Sequence, residues 1–184
     1  MERANIDRRT WTLAASALFI FGAFFGCAVY RLLGIGESEL YDNLIERYFL
    51  ALFRGCTSPL DVLRTAADCC LHELWAFFAV FAAGYTLYSL PVSGAALFWR
   101  GMLFGFSLTM LQFSTRTGLV LYAGAYLFAS GAVSFLLIQL CAWAAAFRHG
   151  RELSGRMFAA VFFRIAALVC VNVVGMLAVV YVWL

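Results

Sequence analysis

Charge is scarce in this chain. Only 12% of its 184 residues are charged, against about a quarter in an ordinary soluble domain, and lysine is absent, so all 13 basic residues are arginines. That deficit excludes a free-standing soluble enzyme. There are just two prolines, and no low-complexity tract is present; with 17% aromatic residues, the composition also excludes disorder. What fills the chain instead is apolar sequence, 65% of all residues, with a mean hydropathy of +0.90. The apolar residues fall into runs long enough to cross a bilayer, which leaves no room for a separate catalytic domain.

A hydrocarbon core of about 30 Å takes roughly 20 apolar residues of helix, whereas the strands of a membrane barrel alternate every second residue. The runs here are continuous. They predict an all-α, polytopic membrane protein with five transmembrane helices at about 11–33, 74–90, 92–112, 119–147 and 158–184, forming a single membrane domain. Pro91 is expected to break the second span from the third, and Ser114 to Gly118 to separate the third from the fourth.

The arginines give an orientation, because cytoplasmic segments close to a span retain an excess of them. Arg3, Arg8 and Arg9 precede the first span, and Arg148, Arg151 and Arg156 join the fourth to the fifth. Both segments then lie inside, with residues 34–73 and the C-terminus outside. The outward segment holds seven of the ten acids, so nothing points to a nucleic-acid partner. The apolar stretch after Arg9 is too long for a signal peptide, and Phe25 stands where a lipoprotein cleavage site wants a small residue; an uncleaved anchor is expected.

Between the first two spans the pattern changes. Apolar pairs recur near every fourth residue from Glu37 to Phe53, which predicts an amphipathic helix presenting Leu44, Ile45, Tyr48, Phe49, Leu52 and Phe53 to the bundle or to a partner. Ser58, Pro59 and Asp61 read as an N-cap, a first-turn proline and a first-turn acid, so a second helix starts there and leads into the second span. Together these helices form an extracytoplasmic cap over 34–73, too small to fold alone.

Chemistry-bearing patterns are few. Asp68, Cys69, Cys70, His72 and Glu73 are the one cluster of metal-ligand types, but a closed zinc site wants four ligands and His149 is expected across the membrane. A metalloprotease helix would need its second histidine at position 76, which is alanine. Intramembrane serine proteolysis fails as well, because Gly105-Phe106-Ser107 is followed by Leu108 instead of glycine and no histidine is placed in any span; the six cysteines include no C-x-x-C pair. Cys56 is free by position to bridge to Cys69 or Cys70 in an oxidising exterior. No metal, cofactor or catalytic residue is expected.

Two features lie inside the spans. Arg100 and Arg164 stand about 12 Å from the inner ends of their helices, with Gln139 at a similar depth. Such residues either serve a function or snorkel to the headgroups. No Asp or Glu is placed in any span, which counts against a proton-coupled carboxylate relay. Gly22 with Gly26, and Gly101 with Gly105, form two G-x-x-x-G motifs whose small side chains let helix backbones approach closely, within one chain or in a homo-oligomer.

The flanks of those motifs carry a resemblance. The first span ends in Phe21-Gly22-Ala23-Phe24-Phe25-Gly26. After an outward amphipathic segment and a proline hairpin at Leu90-Pro91, the third span carries Arg100-Gly101-Met102-Leu103-Phe104-Gly105-Phe106. Over residues 11–112 this is similar to the stage II sporulation protein M family. The resemblance implies a five-span bacterial membrane protein with a cytoplasmic N-terminus and no enzymatic activity. It implies a scaffold acting with peptidoglycan hydrolase partners during engulfment in sporulation. The alternative from the residues themselves is a transporter or permease subunit holding an anionic substrate or lipid through Arg100 and Arg164.

Overall fold

The computed structural model describes residues 2–33, 59–112, 117–149 and 154–183. They form five helices: α1 (Glu2–Leu32), α2 (Pro59–Gly84), α3 (Ser89–Gln112), α4 (Thr117–His149) and α5 (Gly155–Trp183). There is no strand among the described residues. Four stretches, Arg9–Leu32, Arg64–Gly84, Tyr126–Arg148 and Gly155–Ala178, are long and apolar enough to cross a membrane. Such helices place the protein in association with membrane lipids. The expected cap residues Leu44, Ile45, Tyr48, Phe49, Leu52 and Phe53, and Cys56 with them, lie outside the described residues.

α2 starts on Pro59 with Asp61 in its first turn and runs unbroken to Gly84. The second membrane stretch therefore begins ten residues before the expected Leu74, at Arg64. The break that follows is not at Pro91. It falls at Tyr85 to Tyr88, where the Thr86 hydroxyl donates to the Ala83 carbonyl at 2.9 Å and accepts from the Tyr88 amide at 3.2 Å. Pro91 sits inside the first turn of α3, a position whose amide has no helical acceptor to lose.

α4 is the central helix and touches each of the other four. Its inner length is built from small residues, and Ala129, Ser130, Ser134, Cys141, Ala142, Ala144 and Ala145 are all buried. Side chains of that size let neighbouring helices close on α4 from several directions. The large residues Phe77, Val80, Leu97, Phe158, Phe162 and Val169 then fill the space between helices.

α1 packs mainly on α3, and the two run parallel. The pairing rises in step along both: Gly22 lies against Phe98 and Met102, Gly26 against Met102, and Gly105 against Ala23. Because α2 and α3 form an antiparallel hairpin, the start of α1 shares an end of the bundle with the Tyr85 to Tyr88 turn. The α4 to α5 connection lies at that end too: the Tyr85 hydroxyl donates to the Gly155 carbonyl at 3.2 Å. Aromatic rings close this end, with Phe81 stacked on Phe162 at 4.2 Å and Phe147 on Phe158 at 4.9 Å between centroids.

Candidate functional site

Two places in the bundle combine unusual residues with close geometry: the α1 to α3 seam and a polar layer between α2, α3 and α4.

At the seam Gly22, Gly26, Gly101 and Gly105 are all buried. A methyl group built on Gly22 would collide with the Phe98 carbonyl oxygen, on Gly26 with that of Met102, on Gly101 with that of Phe19, and on Gly105 with that of Ala23. Each obstacle is backbone, which cannot swing aside as a side chain can. The Cys27 thiol donates to the Gly105 carbonyl at 3.3 Å across the same contact. Rings flank the glycines, with Phe25 and Phe98 at 5.5 Å and Tyr30 edge-on to Phe106 at 5.2 Å. Backbone contact in the middle and aromatic contact on both sides make this seam a shape lock, with no hydrophobic driving force needed in lipid.

The polar layer centres on Arg100. Its Nη1 donates to both carboxylate oxygens of Glu73, at 2.7 and 2.9 Å. Nε reaches the Ser134 hydroxyl at 3.4 Å and Nη2 the Ser130 hydroxyl at 3.3 Å. Ser134 spends its own proton on the Ser130 carbonyl, at 2.7 Å, which leaves its lone pairs to accept from the guanidinium. Every nitrogen of Arg100 thus has an acceptor. Arg100 stands mid-way along α3, about 17 Å from either end, and Glu73 is equally central in the Arg64–Gly84 stretch. In a bilayer a lone charge half-way along a helix would cost several kcal/mol, and an ion pair with two serine acceptors offsets such a cost.

Glu73, expected outside the spans, falls inside one of the stretches long and apolar enough to cross a membrane, where it partners the arginine. Gln139 and Arg164 are not brought to this layer. Gln139 is half-buried about 7.5 Å further along α4 from Ser134, and Arg164 is exposed on the outer side of α5.

Above the pair opens a cavity of about 790 Å³. Its walls include Asp68, Cys69, His72 and Glu73 of α2, Arg100, Phe104 and Met110 of α3, Tyr126 and Val133 of α4, and Val173 of α5. Met110 lies about 15 Å along α3 from Arg100 and Asp68 about 7.5 Å along α2 from Glu73, both toward the end where α2 begins. The ion pair lies at the opposite end of the cavity, as its floor. Compared with family models, curated proteins and solved structures, the chain matches none. Its chemistry has to be read from the cavity and the seam alone.

Cys69, His72 and Glu73 do share a cavity, as their spacing on one helix face implies. Among the described residues no three His, Cys, Asp or Glu side chains gather closely enough to hold a metal ion. Cys70 meets the Cys170 thiol of α5. The signal that would have found the Glu73 to Arg100 pair is arithmetic. Glu73 precedes Tyr85 by twelve residues, and Arg100 follows Tyr88 by twelve. Equal offsets from the turn of an antiparallel hairpin bring residues to the same level.

Proposed function

We propose that the protein is a non-catalytic membrane scaffold of the stage II sporulation protein M kind, anchoring or recruiting peptidoglycan-remodelling proteins in the bacterial cytoplasmic membrane during engulfment. The observation that carries this reading is the seam. The two segments on which the resemblance rests, Phe21 to Gly26 and Arg100 to Phe106, are the two that interlock through backbone contact. The resemblance thus falls on one structural unit and not on scattered apolar residues.

In this reading α3 is a fifth span. Its 24 residues match the other membrane helices in length, and Arg100 enters the bilayer as half of an ion pair. The start of α1, the α2 to α3 turn and the α4 to α5 connection share one end, which carries Arg8, Arg9, Arg148 and Arg156; the excess of arginine assigns it to the cytoplasm. The C-terminus and the segment between α1 and Arg64 then face outward, and the apolar stripe from Leu44 to Phe53 is the partner surface. A homo-oligomer would leave the cap free for its partners.

Co-purification from native membranes tests the scaffold. Cell-wall hydrolases retained by the wild type and lost on replacing Tyr48 and Phe49 by alanine support it; a protein that carries no hydrolase, or carries it equally without those rings, overturns it.

The cavity favours a second reading, a permease or transporter subunit. Arg164 stands apart from Arg100, and Glu73 neutralises Arg100, so any substrate contacts come from the cavity walls and not from an arginine pair. Asp68→Asn would then abolish uptake while leaving hydrolase capture intact, and the opposite outcome would favour the scaffold.

A further inference from the structure

We propose that the cavity between α2, α3, α4 and α5 is a binding site for a lipophilic cation, a single positive charge carried on an apolar body. The inference stands apart from the scaffold reading, because it uses neither the apolar stripe from Leu44 to Phe53 nor the glycines of the seam.

Size and lining come first. Sites for drug-sized ligands run from about 300 to 1,000 Å³ and combine apolar walls with a few placed polar groups. This one has about 790 Å³, with Leu103, Phe104, Met110, Val133 and Val173 among its walls. An apolar body entering from the membrane loses nothing by moving from lipid to such walls, so the polar groups decide which ligand stays.

Charge decides the sign. Two carboxylates, Asp68 and Glu73, face one guanidinium, Arg100, with His72 beside them. Arg100 is already engaged, donating to Glu73 and to two serines. An anion would have to displace Glu73 from that network and leave a carboxylate unpaired at mid-membrane depth. A cation meets no such obstacle. Asp68 makes no ion pair among the described residues, so its charge is not committed to an arginine. Aromatic rings of Phe104, Phe106 and Tyr126 also line the cavity, and the faces of such rings attract cations, more strongly where water is excluded.

The test uses two probes of the same shape and opposite sign, tetraphenylphosphonium and tetraphenylborate. Full-length protein in detergent micelles is dialysed to equilibrium against each, with excess unlabelled probe defining the part that saturates above simple partitioning into the micelle. The expected result is a single saturable site for the phosphonium and none for the borate. Asp68→Asn, at an exposed position that folding tolerates, should weaken the phosphonium about tenfold. Val133→Phe, which fills the cavity, should abolish it in protein that still elutes as a folded species. No saturable phosphonium binding, saturable borate binding, or phosphonium binding unchanged by Asp68→Asn would each overturn the proposal. If Val133→Phe fails to fold, the Asp68→Asn comparison and the borate control decide alone.

Discussion

Glu73 and Arg100 approach to 2.7 Å from opposite arms of the α2 to α3 hairpin, each near the middle of its helix. The pair is a closed electrostatic unit, so breaking one half should cost more than removing both. Arg100→Gln strands a carboxylate among apolar neighbours, and losses of about 3 to 5 kcal/mol are typical when one partner of a buried pair is removed. In the Glu73→Gln, Arg100→Gln double variant, two neutral amides replace the pair, and most of that loss should return. Thermal unfolding in detergent of the wild type, both single variants and the double variant measures this coupling. Additive losses would show that the two side chains do not act as a unit.

The seam predicts a sharp contrast among glycines. Gly26→Ala and Gly105→Ala place a methyl against a carbonyl of the neighbouring helix, so both should lower folded yield. Gly131 and Gly175 have nothing within 4 Å of where a methyl would be. Alanine at either should leave folding unchanged or improve it by up to about 1 kcal/mol through helix propensity. Fluorescence size-exclusion of the four variants decides it. Equal yields throughout would mean that the seam tolerates separation.

Much of the architecture was legible because apolar run length and glycine spacing are local properties. Four membrane stretches, and a helix starting at Pro59, could be read directly. The turn between α2 and α3 was misplaced because proline reads as a breaker, although in a first helical turn it loses no hydrogen bond. That error propagated. Counted from Pro91, Glu73 is eighteen residues away and Arg100 nine, which puts the two at different depths. The polar run from Asp68 to Glu73 reads as helix still outside the bilayer, whereas tertiary partners let it continue into the bundle. The cavity itself was not legible, since it is formed by four helices whose relative rotation no local pattern states.

Cys70 and Cys170 supply a check on the packing of α2 against α5. Their thiols are in contact although the residues are far apart in sequence, and Cys69, next in the chain, faces the cavity. In a variant whose only cysteines are Cys70 and Cys170, copper phenanthroline with dioxygen should join them. Two thiols then lose two protons and two electrons to the oxidant. Both cysteines would be protected from maleimide labelling after denaturation until a reductant is added. A variant retaining only Cys69 and Cys170 should cross-link more slowly. The reverse order would mean that α2 is rotated relative to this packing.

If α3 is the fifth span, it needs a partner to enter the membrane. α3 carries Arg100 at its centre, where an arginine costs about 2.5 to 3.5 kcal/mol on insertion scales. The residue that offsets the cost is on α2, which is synthesised first and is already in place when α3 follows. Insertion of α3 should therefore depend on Glu73. Reporter fusions at Thr86 and Thr117 are expected to report opposite compartments in the wild type. Glu73→Ala should shift a measurable fraction of the Thr117 fusions to the same side as Thr86, and Glu73→Ala combined with Arg100→Leu should restore the crossing, because the apolar helix no longer needs a partner. If Glu73→Ala left the crossing complete, α3 would insert by snorkelling of Arg100 alone, and the ion pair would form only after the helices assemble.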